Sequence, residues 1–180
     1  MVRLSHSVLS NKYGCPCHAG LFFEAYTPTS AQFNFRTLAS KQDTVLNPKW
    51  AGWTPIVQHE ELQGRIWYSN DQAFVKEIPK FDKVDRYVLR WRGQIKVPSD
   101  GSYKFQTRSD DGSLLYIDGK VVVNNDGLHG GRTKQGSKQL ATGTHEMVIA
   151  FFENGGGSIL EVSWSPTPGA NLVPLSVSLI

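Results

Sequence analysis

Cysteine is scarce in this chain, with only Cys15 and Cys17 among 180 residues. With His18 they place three metal-binding side chains in four positions, yet a tetrahedral zinc site adds a second pair from elsewhere, and no other cysteine exists. A bond between the two would close a strained small ring, so they read as two thiols or as half-cystines to a separate segment. No apolar run approaches the length that spans a bilayer. Residues 1–11 are too polar, and their apolar part too short, for a secretory leader. No Asn-x-Ser/Thr sequon occurs, so glycosylation gives no argument for secretion. Charge of one sign is also lacking: the net charge is +3, and the basic residues are scattered without a stripe, which argues against a nucleic-acid partner. No Gly-x-Ser-x-Gly elbow marks a serine hydrolase.

Glycine and proline are plentiful by contrast, at 17 and 9 residues. They separate many short apolar runs, which is the pattern of an all-β protein of one domain. Residues 1–17 are expected to form a flexible leader, with the domain covering 18–180. Residues 36–72 carry few strand signals, and the loop around Trp50 and Trp53 is expected to be pinned to the body by its indoles. Phe74 to Ile78 reads as a short edge strand or turn. From Tyr87 onward the pattern predicts a meander: 87–97, 101–107, 113–117 and 121–123, extended by 135–140, 144–153 and 158–164. Around Arg86 to Lys96 the basic residues alternate with Tyr87, Leu89, Trp91 and Ile95, as in a strand with one solvated face. Met147, Ile149 and Phe151 alternate with Val148, Ala150 and Phe152, so that strand is apolar on both faces and belongs in the centre of a stack.

The most informative segment is Arg108-Ser109-Asp110-Asp111-Gly112-Ser113, followed by the hairpin signal Asp118-Gly119. Asp-Gly suits a tight hairpin because glycine takes positive φ without steric cost. Asp110 and Asp111 fall in a turn between two strand-like runs. Two adjacent carboxylates repel, so an ordered pair generally needs a cation. Successive side chains of an extended backbone point opposite ways, so the chain must kink to bring both onto one ion.

With 20–26, 90–95, 101–105, 124–130, 144–157, 160–164 and 172–174, this segment resembles the PA14 domain family. That β-sandwich module occurs in toxins, glycosidases, glycosyltransferases and yeast adhesins, and the similarity covers roughly residues 18–178. The loop between Val121 and Gln135 is short and glycine-rich, and cysteines are few, which is closer to bacterial-type modules than to yeast flocculin-type ones. The resemblance implies an antiparallel two-sheet β-sandwich with long loops. In sugar-binding members, a cis peptide joins the two aspartates and both bind calcium.

By that resemblance the metal ligands would be Asp110, Asp111, Asn154 and Gly156, the last two in the loop Asn154-Gly155-Gly156-Gly157, and calcium the cofactor. Calcium takes six to eight oxygens, more than two side chains supply, and glycine lets a backbone carbonyl come close. Asp126, His129, Arg132 and Trp53 would be the sugar contacts. The expected function is a calcium-dependent, lectin-like module of an adhesin, cell-surface protein or glycan-active protein. Its partners would be a cell-surface glycan or glycoprotein and neighbouring domains of a larger protein, and its location extracellular or at the cell surface. Turnover is not expected. The alternative is a structural or protein-interaction module in which the Asp-Asp turn is architectural.

Overall fold

The computed structural model describes residues 21–30, 32–38, 53–62 and 64–177. The expected leader, Cys15, Cys17 and Trp50 lie outside the described residues. The elements in chain order are β1 (Leu21–Tyr26), β2 (Val57–Leu62), β3 (Gly64–Arg65), β4 (Trp67–Tyr68), α1 (Asp71–Glu77), β5 (Tyr87–Val97), β6 (Gly101–Asp110) and β7 (Ser113–Ile117). They continue with β8 (Lys120–Asn125), β9 (Arg132–Leu140), β10 (Gly143–Glu153), β11 (Ile159–Trp164), β12 (Val173–Pro174) and β13 (Ser176–Val177). One sheet has six strands in the order β2-β1-β5-β10-β7-β8. The other runs β12-β11-β6-β9 with β4 joined to β11, and β13 pairs β3 separately. The result is the expected all-β antiparallel sandwich.

The expected meander does not form. Between β5 and β11 only β7 and β8 are both consecutive and paired; every other connection in that stretch crosses to the opposite sheet. Alternating apolar residues locate a strand and its buried face, but they do not name its partner. The partner is set by how two apolar faces close on one another.

β10 shows this well. It lies between β5 and β7, central as its two apolar faces demand. Met147, Ile149 and Phe151 join Leu89, Trp91, Phe105, Leu115 and Leu160 in the core between the sheets. Ala150 and Phe152 join a second cluster with Tyr26, Phe33, Phe35, Trp53 and Tyr116 on the outer face of the six-stranded sheet.

That second layer corrects the reading of β5. Arg90 is fully buried and Arg92 nearly so, rather than solvated. Glu24 stands opposite Arg90 in the β1–β5 register and reaches both guanidinium groups, at 2.9 and 3.3 Å. Arg92 also lies 4.4 Å from the Phe22 ring centroid. Buried cations persist only with such partners.

Phe74 belongs to a helix, not to an edge strand. Asn70 caps α1 by accepting the Ala73 N–H at 3.1 Å, and Asp71 sits in its first turn. Phe74 stacks on Tyr68 and Phe151, at 4.5 and 5.5 Å between centroids. Seven residues give too few turns for a 3.6-residue period to show. Strand β2 falls in the stretch read as poor in strand signals, at the edge of its sheet beside β1.

Candidate functional site

Three of the sheet-crossing connections meet at one end of the sandwich: residues 110–113 from β6 to β7, 125–132 from β8 to β9, and 153–159 from β10 to β11. Registers fix the meeting. Ser113 is opposite both Phe151 and Asn125, Ser109 opposite Arg132, and Asp110 opposite Ile159. Beneath the turn, Ser113 bridges Ser109 and Thr107 through hydroxyl contacts of 2.8 and 3.0 Å. Asn125 donates from Nδ2 to the Ser109 hydroxyl and to the Arg132 carbonyl. This polar set ties β6, β7, β8 and β9 together where the aspartates emerge, and a satisfied buried network makes a rigid base.

The peptide between Asp110 and Asp111 is cis. Asp111 is nearly buried, and each of its oxygens accepts a backbone N–H, Oδ1 from His129 at 3.0 Å and Oδ2 from Asn154 at 3.1 Å. One carboxylate thereby holds two of the three loops. A carboxylate offers about four lone-pair sites, so Asp111 keeps acceptor capacity after both bonds. Burial, and next the charge of Asp111, hold the Asp110 carboxyl above its usual range, opposed in part by His129 and the Gly131 N–H.

A third acid completes the group. Ligand oxygens of Asp110, Asp111 and Glu153 all lie within 4.8 Å of one another. Glu153 is fully buried at the end of β10; its Oε1 accepts the Gly155 N–H at 2.6 Å, while Oε2 has no hydrogen bond of good geometry among the described residues, although the Asp111 N–H also faces the carboxyl. Burial first, then the charge of Asp111, pushes Glu153 up to about 8. The sequence reading passed over this residue. Its signal was the β10 alternation, since Glu153 continues the inward face of Met147, Ile149 and Phe151, where an acid is out of place without a task.

The remaining expected residues fall into three groups. Asn154 sits beside the acids through its N–H, whereas Gly156, at φ +109°, donates its N–H to Asp85 at 3.2 Å. Asp71 in α1 pins the same loop by accepting the Ser158 N–H and hydroxyl. Asp126, His129 and Arg132 build the 125–132 loop itself. Arg132 donates to Asn125 Oδ1 and to the Asp126 carbonyl, both at 2.8 Å. The His129 ring nitrogens lie 2.9 Å from the Asn125 and Gly130 carbonyls. Asp126 accepts from the Thr37 hydroxyl and the Leu38 N–H, which brings residues 32–38 to the same end. Trp53 is 9% exposed and meets Tyr26 and Phe33 edge-on in the outer core, so its ring serves packing.

Beside the acids lies a groove of about 270 Å³, bounded by Ser30, residues 33–36, Arg86, Leu128 and Asn154. Among the described residues, no helix is long and apolar enough to cross a membrane.

The sequence profile of the PA14 domain family matches residues 68–174. No curated protein matches the chain closely enough to count as a relative. Among solved structures, a PA14 sugar-binding domain from an RTX adhesin superposes with a TM-score of 0.71 at 21% identity, covering 88% of this chain and 95% of its own. The PA14 domain of the MpAFP antifreeze protein superposes at 0.67 with 18% identity, covering 91% of this chain and 90% of its own. The A domain of epithelial adhesin 9 from Candida glabrata, solved in complex with Galb1-4GlcNAc, reaches 0.62 at 13% identity, covering 89% and 88%. At these identities the likeness is one of fold.

Proposed function

From the premise that this chain belongs to the PA14 domain family, we propose that it is a calcium-dependent, carbohydrate-binding module of an extracellular or cell-surface protein, acting without turnover. The observation that carries this reading is the set of three carboxyl groups with ligand oxygens within 4.8 Å of one another, one of them fully buried. Like charges packed this closely repel unless one is protonated, as the upward push of Glu153 to about 8 implies, or a cation offsets them. The donor set is all oxygen, as a hard cation such as calcium prefers. The residues therefore fit the ion that the family resemblance implies.

Asp110 and Asp111 would hold calcium, with Asn154 and Gly156 adding oxygens from the neighbouring loop. Glu153, held protonated near neutral pH by burial and by the charge of Asp111, would ionise beside a bound cation and add a further negative charge. When bound, calcium offers coordination positions that two vicinal sugar hydroxyls can complete. Asp126, His129 and Arg132 contribute by keeping the 125–132 loop in place at the rim. Trp53 supports that rim from beneath. The chain's likeness to the sugar-binding domain of an RTX adhesin and to the epithelial adhesin 9 domain in complex with Galb1-4GlcNAc supports a glycan partner for it.

A second reading has its own observation. Asp111 already accepts two backbone N–H groups, so the turn can serve as architecture without an ion. Thermal unfolding in EDTA, in millimolar calcium, and in calcium with a monosaccharide panel separates the two. A ligand bound only to the folded form adds RT ln(1 + [L]/Kd), about 2.7 kcal/mol at 100 times Kd. We expect calcium to raise the midpoint, a sugar to raise it further, and Asp110→Asn to abolish both shifts while the calcium-free protein stays folded. A calcium shift with no sugar response, or no shift at all, favours the architectural module.

A further inference from the structure

We propose that the groove beside the three acids selects sugars bearing an anionic substituent, read by Arg36 and Arg86; this rests on the carbohydrate-binding reading above. The groove is continuous with the site. Asn154 and Leu128 line it, while the Asn154 N–H and the N–H of His129, next to Leu128, are the two donors to Asp111. A sugar held at the acids would therefore extend its substituents between those two loops and into the groove.

Charge in the groove is of one sign. Its lining residues include Arg36 and Arg86 but no carboxylate, and neither guanidinium is in an ion pair among the described residues. Asp85, next in sequence to Arg86, is exposed and accepts the Gly156 N–H, which directs its Oδ1 to the neighbouring loop. Asp126 is likewise turned to the Thr37 hydroxyl and the Leu38 N–H.

Arg86 is also held in place. Its Nη2 donates to the Ser30 hydroxyl at 2.5 Å, its guanidinium lies 5.2 Å from the Phe35 ring centroid, and its φ is +55°. A long cationic side chain fixed in this way has less rotamer freedom left to lose on binding. A planar fork of donors suits a carboxylate or another oxyanion, which it can grip through two parallel hydrogen bonds. Asn34 and Asn154 supply neutral donors and acceptors beside it, and Leu128 an apolar wall, as sugar rings require.

The test uses the whole chain in millimolar calcium and matched monosaccharides that differ at one carbon: galactose, galacturonate and galactose 6-sulfate, and the corresponding glucose set. We expect an anionic member to bind roughly tenfold or more tightly than its neutral parent, a preference that weakens as salt rises. The uronate and sulfate arms tell a carboxylate from a sulfate ester, and preference for either supports the proposal. The double change Arg36→Gln and Arg86→Gln should erase the preference while leaving the calcium midpoint shift and neutral-sugar binding as they were.

Because Arg86 also braces Ser30 and Phe35, Arg36→Gln alone and Arg86→Lys are the companion variants. Arg36→Gln should lower the preference in a protein of unchanged melting point. Arg86→Lys keeps the charge but not the fork, and should lower it further for carboxylate than for sulfate. Equal or tighter binding of the neutral parents overturns this inference and leaves the lectin reading standing, as does a preference that survives the double change. Absence of binding by every sugar in calcium defeats both.

Discussion

Glu153 and Gly112 show how single residues set this site. Glu153 places a buried carboxyl against two further acids. Pushed up to about 8, Glu153 is protonated near neutral pH in the ion-free protein; glutamine mimics that form but cannot ionise to add negative charge beside a bound cation. For Glu153→Gln we expect calcium-free stability to stay within about 1 kcal/mol of the parent or to rise, while calcium affinity falls roughly tenfold, since charge count tunes such sites. Calcium titration followed by calorimetry reads the second, urea unfolding the first. Gly112 answers to space rather than to backbone angle. A Cβ there would stand 2.3 Å from Phe152 Cε1 and 2.9 Å from the Gly127 nitrogen. Gly112→Ala should cost about 1–3 kcal/mol through overpacking and weaken the calcium response, because Asp111 is its neighbour. Unchanged urea midpoints would count against that account.

At the scale of elements, the β7–β8 hairpin is the piece most nearly readable from sequence. Asp118 and Gly119 both take positive φ, +51° and +71°, as a primed turn requires. The turn is then anchored from β10: His145 Nδ1 lies 2.8 Å from Asp118 Oδ2, and Nε2 lies 2.8 Å from the Ala141 carbonyl. Two acceptors favour the doubly protonated ring. Burial alone would lower the His145 pKa, but the Ala141 carbonyl and Asp118 together raise it, against a small opposing push from Lys138. A raised native value means a stabilising contribution fully present below the unfolded pKa of about 6.5 and lost as pH climbs through the native one. The pair is partly exposed and screened, so its worth is under about 1 kcal/mol. We expect the stability gap between the parent and His145→Gln to be widest near pH 5 and to close above neutrality. Urea midpoints across that range measure it.

Across the whole molecule, the arrangement of connections matters more than any one strand. Loops 110–113, 125–132 and 153–159 meet because each crosses between the sheets at the same end, and Asp111 joins the latter two to its own. The β7–β8 turn and the start of β10 lie at the opposite end. An ion held by Asp110 and Asp111 should therefore slow hydrogen exchange at the His129 and Asn154 amides together. The Asp118 amide, bonded to the Glu146 carbonyl at 2.9 Å, should be unaffected. Protection confined to one loop, or equal at both ends, would argue against a shared ion site.

The sequence by itself determined the strands of the second half, the central place of β10, the Asp118-Gly119 turn and the importance of Asp110 and Asp111. Those are local: alternation, turn chemistry and the repulsion of adjacent charges act within a few residues. Helix α1 escaped because one short amphipathic segment carries too little period. Arg90 and Arg92 were misread because only a covering layer, with Glu24 on β1, turns an outward face into a buried one. The sheet crossings, the approach of Glu153 to the aspartates, and the groove beside Arg36 and Arg86 were decided by the tertiary structure alone. They depend on contacts between residues far apart in the chain, and closing two apolar sheets over one core selects those contacts.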